Sequence, residues 1–494
     1  MECDVIVVGA GGSGLAAAVM AASRGARVIV LEKQPQPGGS TGQAIGSFTS
    51  ANSADDIASM LADVAKDAPP DLEAKNNHAL RELLCRESGR TREWLESLGI
   101  VFRGPYFAPP HETKRQHCVT PGAKAFVTSL QLALLKRKGQ ILCDASVECL
   151  LRYDDRVVGV KATIEDRSLE ITARRGVILA AGDYSASQSI LGKHHGDKFK
   201  NISAINPRAT GDGHVMARNA GAKLANMEVL HGPELRMFGG GNAPPFQQLL
   251  PVEGKWSQLK AMFLRLLPRW VTRGLLRRLQ STWLRPADAL FTQGAILVNE
   301  QGDRYCNELK SPHREIATAE QPSQNAYILF DSRIVMRLEH WPDYVCTAPE
   351  IGYAYLPDVT KRWPALVTTG FSLEDVAARR GIDPQRIKMT VDAFNDEVGE
   401  SRRDTFGRPS AEHRLEKSPW TILGPVKPVM TTTEGGVLVN ERMEVIDLVG
   451  KTIPGLYAVG QNGMGGLILW GPGMHLSWVF TSGRLAGEAI MAKD

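Results

Sequence analysis

A chain of 494 residues, 23% charged and 43% hydrophobic, is too long for one simple core and too balanced to be disordered or fibrous, so two or three domains are expected. Its net charge of +4 is unevenly spread, with eight Lys or Arg and no acid between Lys255 and Arg285, which argues for one local basic feature and against a nucleic-acid surface. The 7 cysteines lack CxxC or CxxCH spacing, which excludes a c-type haem, a metal site and a disulfide framework as readings. A cytoplasmic protein with reduced thiols is expected, since no signal peptide precedes the first apolar run and no run is long enough to span a bilayer.

Residues 4–32 read DVIVVGAGGSGLAAAVMAASRGARVIVLE. An apolar strand enters Gly9, Gly11, Gly12, Ser13 and Gly14, an Ala-rich helix follows, and a second strand ends at Glu32 and Lys33. Gly9 permits the tight turn, Gly11 lets backbone approach a pyrophosphate, and Gly14 lets helix and strand pack closely. The helix N-terminus offers free N–H groups to phosphate, and Glu32 is placed to accept ribose hydroxyls. A second small-residue cluster, with Gly39, Ser40, Thr41, Gly46 and Ser47, comes directly after the acid. It looks like the loop that flavoproteins wrap around the pyrophosphate and ring, where a nicotinamide-binding domain would proceed to another simple strand and helix.

Further motifs follow in order: Gly122–Phe126 and the strand 140–147, Val157–Val160, Val177–Ser185, Thr210–Ala217, Gly435–Val439 and Pro454–Gly460. On these motifs the chain resembles the fumarate reductase/succinate dehydrogenase flavoprotein family and its 3-ketosteroid dehydrogenase relatives, over nearly the whole length. The resemblance implies an α/β fold: a Rossmann-type FAD-binding domain from residues 1–222 and 431–494, with an α+β cap, the substrate domain, inserted at 223–430. It also implies FAD contacts at Val147, Ala181, Gly182, Asp212, Gly460, Gln461, His475, Leu476 and Ser477, and a helix starting near His475–Ser477. Ser40 stands where membrane-complex relatives carry the histidine that bonds the flavin, so non-covalent FAD is expected.

In fumarate reductases a cap arginine shuttles the proton, and the run Gly294–Glu308 resembles the approach to it. Arg314, one residue out of register, is the candidate, with an exposed loop arginine as the other reading. His231 falls near a substrate-clamping histidine, or is simply a cap-core histidine. A second clamp histidine is replaced within Thr431–Thr433, and Leu467–His475 lacks the arginine that dicarboxylate reducers carry. Losing that arginine removes a bidentate partner for a substrate carboxylate. The run Trp470–Gly473 partly resembles the aromatic-Gly-Pro motif of ketosteroid dehydrogenases. Polarising a ketone would then fall to a backbone N–H near Gly473, to His475, or to a cap tyrosine, Tyr353 or Tyr355.

The expected activity is thus introduction or removal of a C=C bond next to the carbonyl of an apolar, steroid-like or cyclic ketone, by α-proton abstraction and β-hydride transfer to flavin N5 in the dehydrogenating direction, with an enoate reductase using Arg314 as acid as the alternative. The electron acceptor is not readable. Arg265, Arg269, Arg273 and Arg277 recur every four residues, which on a helix forms one basic stripe. Two readings stand for 255–285: a helix lying on the inner face of a membrane, suited to a lipophilic substrate, or a cap helix packed on the protein.

Overall fold

The computed structural model describes all residues except 68, 109–110, 121, 239–283, 340–342, 349–351, 400–402, 410 and 493–494. The expected α/β architecture is present. The first strand, Glu2–Val8, buries Val5, Ile6, Val7 and Val8 in succession, as a strand covered on both faces should. It lies inside a parallel array in the order Thr452–Ala458, Arg167–Leu179, Glu2–Val8, Val28–Leu31, Gln140–Leu142. The N-terminal and C-terminal parts of the sequence therefore share one sheet. Val157–Val160 fall in the strand Arg156–Ile164, the middle of an antiparallel meander with Ala145–Tyr153 and Arg167–Leu179.

The Ala-rich text after the glycine turn forms the helix Gly12–Ser23, buried from Gly12 to Ala22. Small residues are needed because the helix Met474–Ala489 lies against it at backbone distance. A Cβ on Gly483 would come within 2.4 Å of the Ser13 carbonyl oxygen, and one on Gly487 within 2.5 Å of that of Ala17. The C-terminal helix begins at Met474, just before the expected start, with Gly473 as its cap in the left-handed region at φ 78°. There a glycine escapes the steric cost of a Cβ.

One hydrophobic core takes residues from Cys3 to Ala222 and again from Val437 to Ile490, while a second runs from Leu235 to Val426. The second core is organised by the long strand Trp420–Met430, paired with Ser203–Ala204, Glu234–Met237, Ala326–Phe330 and Val367–Gly370. The chain passes between the cores twice, and the two crossings pair with each other. Leu224–Ala225 runs antiparallel to Gly436–Val437, and Leu230–His231 to Thr432–Thr433. Among the described residues no helix is long and apolar enough to cross a membrane. The basic stretch lies outside the described residues from 255 to 283.

Candidate active site

The glycine turn is closed by protein at two positions and open at a third. A Cβ on Gly9 would meet the Ala180 carbonyl oxygen at 2.4 Å and one on Gly14 the Gly9 oxygen at 1.9 Å, whereas one on Gly11 would meet nothing nearer than Gly38 O at 4.0 Å. Gly9 and Gly14 are thus filled by protein, and Gly11 presents an open backbone face. Gly38 donates to Ala10 O at 3.0 Å, and Gly12 N–H donates to Thr41 Oγ1 at 3.2 Å. Glu32 is buried and braces the turn, accepting from Ala10 N at 2.8 Å and Gln34 N at 2.9 Å. Lys33 Nζ reaches Asp212 Oδ2 at 2.7 Å and Thr210 Oγ1 at 2.6 Å, which pins the helix Asp212–Asn219 to the end of the strand Val28–Leu31.

The other expected cofactor residues have these surroundings. Gly39 opens the turn Gly39–Gln43, and Ser40 Oγ accepts from Asn206 Nδ2 at 2.9 Å. Gly46 precedes the strand Ser47–Thr49, and Val147 pairs with Ala162 in the meander. Ala181 N–H donates to Asn462 Oδ1 at 3.3 Å; Gly182, at φ 80°, has open space on its Cβ side. Gly460 packs on Ser13, its N–H donating to Ser482 Oγ at 2.9 Å. Leu476 leans on the first core, and the Ser477 hydroxyl bonds Thr49, accepting its N–H at 3.1 Å. The buried Asn462 Nδ2 and Gln461 Oε1 have no partner. Orphaned polar atoms beside open glycine faces, at the N-terminus of a long helix, fit a bound dinucleotide of the FAD type.

The two chain crossings bring three expected residues together. The His231 ring lies 5.4 Å from that of His475, edge to face, and 6.0 Å from that of Trp470. His475 Nε2 bonds Glu434 Oε1 at 2.7 Å, and only 2% of the Glu434 side chain is exposed. Glu434 also accepts from Leu469 N at 3.4 Å. Thr432, in register opposite His231, donates to Asp183 Oδ2 at 2.8 Å and accepts from Gln461 Nε2 at 2.9 Å. The loop carrying Trp470 is tied down from the first core. Asn77 Nδ2 donates to Gly465 O at 2.8 Å, Asn226 Nδ2 to Gly466 O at 2.9 Å and Arg81 Nη2 to Ile468 O at 3.1 Å, while Ile468 N donates to Asn76 Oδ1 at 3.0 Å. Trp470 Nε1 is buried without a partner.

The two histidines are driven apart in acidity. Burial disfavours charge on both, and it holds His231 below the ordinary histidine value. For His475 the Glu434 carboxylate outweighs burial and raises the pKa. Asp183, wholly enclosed, is raised by burial against its hydrogen bonds from Thr432 and Ser185.

Arg314 is not among the residues that meet the histidines. It lies buried in the helix His313–Ala319, donating to Asp288 Oδ1 at 2.6 Å, Glu315 Oε1 at 2.8 Å and Glu308 O at 2.9 Å, with its guanidinium 4.8 Å from the centre of the Phe291 ring. The exposed-loop reading of Arg314 is therefore wrong, because these partners enclose it. Between it and His231 stands an ion-pair chain that sequence reasoning missed. Asp288 is 3.2 Å from Arg285 Nη2, Arg285 Nε is 3.3 Å from Glu234, and Glu234 pairs with Arg236 and accepts from Thr431 Oγ1 at 3.1 Å. Burial alone would raise Glu234, but Arg236 and Arg285 pull it down to about 2. Tyr353 pairs with Thr347 in a small sheet, where Thr347 in turn pairs with Arg285, and Tyr355 N bonds Asp358 Oδ2 at 3.3 Å at the cap of the helix Leu356–Arg362. Gly473 has Thr49 as its nearest neighbour, 2.7 Å from the Cβ it lacks. Glu434 was also missed, although an acid wedged between a threonine run and Gly435-Gly436 is a detectable oddity.

Comparison with known proteins agrees with this layout. The family described as "FAD binding domain" matches residues 4–235 and 270–470. "Fumarate reductase (cytochrome)" of Shewanella frigidimarina is 26% identical over 497 residues, covering 98% of this chain and 76% of that protein. Among solved structures, the open conformation of a flavocytochrome c3 fumarate reductase superposes with a TM-score of 0.74 at 23% identity, covering 99% of this chain and 78% of the other. The 3-ketosteroid delta1-dehydrogenase from Sterolibacterium denitrificans gives 0.64 at 18% identity, covering 99% of each. Both structural likenesses are of fold.

Proposed function

The chain belongs to the FAD-binding-domain family, as a flavin oxidoreductase of the fumarate reductase type, and from that premise we propose that it introduces or removes a C=C bond next to the carbonyl of an apolar, steroid-like or cyclic ketone. The observation that carries this reading is charge cancellation around the histidines. Arg236, Arg285 and Arg314 face Glu234, Asp288 and Glu315 in one ion-paired chain, and His475 faces Glu434. Among the described residues no cation near the histidines is left over for a substrate carboxylate. A doubly charged acid entering this rim would be stripped of water without gaining a net opposite charge, which is costly. A neutral carbonyl asks only for hydrogen-bond donors, and Trp470 Nε1 is a buried donor without a partner.

Bound FAD supplies a hydride acceptor at its N5, and the open backbone at Gly11 with the unpartnered amide atoms of Gln461 and Asn462 would help to hold it, without a covalent bond at Ser40. In the dehydrogenation direction His231, kept neutral by burial, is the base that takes the α-proton. Its opposite strand holds Thr432, locked between Asp183 and Gln461, so the crossing that carries His231 is rigid. The second reading, reduction of an unsaturated carboxylate, is favoured by the name of the Shewanella relative. In that reading Arg314 would have to leave three partners to act as acid. Anaerobic mixing of the purified yellow holoenzyme with a panel of saturated cyclic ketones tests the proposal: bleaching of the flavin is expected. Inertness to every ketone, with reoxidation of the reduced enzyme by unsaturated acids, would establish the second reading.

A further inference from the structure

We infer that Glu434 is the positioning residue of an oxyanion site whose donor is His475, so that the pair takes over the carbonyl-binding role that the missing arginine would otherwise fill. The inference rests on the ketone reading for its substrate, and on the site's geometry for its mechanism. A carboxylate can only accept, so the 2.7 Å contact places a proton on His475 Nε2. The bond fixes the ring plane and leaves Nδ1 as the nitrogen that can address a substrate. About a quarter of the His475 side chain is accessible, against 2% for Glu434, so the histidine is the member of the pair that an incoming molecule can reach.

Everything else packed near the ring argues that Glu434 is needed. His475 occupies the first turn of the sixteen-residue helix Met474–Ala489, where the positive end of the helix dipole opposes a cationic side chain. His231, edge-on at 5.4 Å, would repel it if charged, and burial opposes the charge as well. Only Glu434 and, more distantly, Asp183 favour the imidazolium. Glu434 is itself immobilised by Leu469 N, in the loop that also presents Trp470. A growing enolate oxygen placed between Trp470 and His475 would thus meet a fixed charge-assisted donor beside a neutral one, and such preorganised donors are worth most in a water-poor site. Because the His475–Glu434 pair is neutral as a whole, it suits an oxygen whose charge is shared with a conjugated frame, as in an enolate or a phenolate, in preference to a localised carboxylate.

The test uses the FAD-loaded full-length protein and two readouts that need no turnover. Selective 13Cε1-histidine labelling follows the titration of His475, and calorimetry follows binding of 4-nitrophenolate, a planar apolar oxyanion. In the wild type His475 is expected to titrate above the ordinary histidine value. Glu434→Gln, which keeps an acceptor of the same shape, is expected to move it downward and to weaken phenolate binding by about 10- to 100-fold. If Glu434→Gln does not fold, His475→Asn must produce the same loss of phenolate affinity with Glu434 intact. An unchanged His475 titration in Glu434→Gln, or phenolate affinity within twofold of wild type in the folded variant, would overturn the inference. Flavin inert to all ketones alongside retained Glu434-dependent phenolate binding would instead overturn the ketone reading and leave the oxyanion site standing.

Discussion

The glycine turn and the histidine rim are held by different physics. At the turn, geometry is set by backbone touching backbone: Gly14 has no room for even a methyl group, with the Gly9 oxygen 1.9 Å from where it would stand. At the rim, geometry is set by paired charges drawn from distant parts of the sequence, such as Glu434 with His475 and Glu234 with Arg285. Steric constraint of the first kind tolerates nothing. Constraint of the second kind can be retuned one residue at a time, which is how a common cofactor scaffold comes to serve different substrates.

The sharpest way to break the contrast is at the turn. Gly14→Ala is expected to cost about 4 kcal/mol or more of stability, since the clash is with backbone that cannot yield, and to leave the protein colourless; urea unfolding and the flavin absorbance of the purified variant report both. At the rim, His475→Asn is expected to keep the bound FAD while slowing its anaerobic bleaching by ketone about 100- to 1,000-fold, the usual effect of removing one oxyanion donor. Arg314→Met should separate stability from chemistry. Glu315 loses its buried partner, at roughly 3 kcal/mol in urea unfolding, yet ketone-driven bleaching should stay within a few-fold of wild type. Abolished bleaching would place Arg314 in the chemistry after all.

The smallest expected effect for a single residue concerns two buried histidines, His117 and His214. Burial holds His117 and His214 down to about 4. The unfolded chain, with ordinary histidines, therefore binds protons below about pH 6.5 that the native state refuses until about pH 4. Stability contributed by each neutral histidine is complete above that window and falls as pH drops through it. At pH 5 the loss should be about 2 kcal/mol for each, read as a lower urea midpoint at pH 5 than at pH 7. His214→Gln should show a shallower fall.

What the sequence made legible follows the same contrast. The strand, the spaced glycines, the small-residue helix and the acid of residues 4–32 are short-range features whose reasons lie within one βαβ unit. The dinucleotide-binding fold could be read from them, and the Gly39–Ser47 cluster that follows turned that reading towards FAD. His231, Trp470 and His475 could be nominated singly, but their meeting depends on Leu230–His231 pairing with Thr432–Thr433, a contact across some two hundred residues of chain that no local pattern announces. Glu434 and the chain from Glu234 to Arg314 stayed hidden for that reason. Arg314 itself was singled out by its surroundings in sequence, yet its partner Asp288 lies in another helix, so its commitment to a salt bridge was invisible. Tyr353 and Tyr355 were chosen for their hydroxyls alone, without a spacing that tied them to the rim.

The charge balance of the rim is the central claim, and one anaerobic experiment addresses it directly. The oxidised holoenzyme is mixed with a saturated cyclic ketone, and the chemically reduced holoenzyme with fumarate, while the flavin absorbance is followed. A rim without a spare cation among the described residues should let the ketone bleach the flavin and leave the reduced flavin untouched by fumarate. Rapid reoxidation by fumarate, with no bleaching by ketone, would contradict the account.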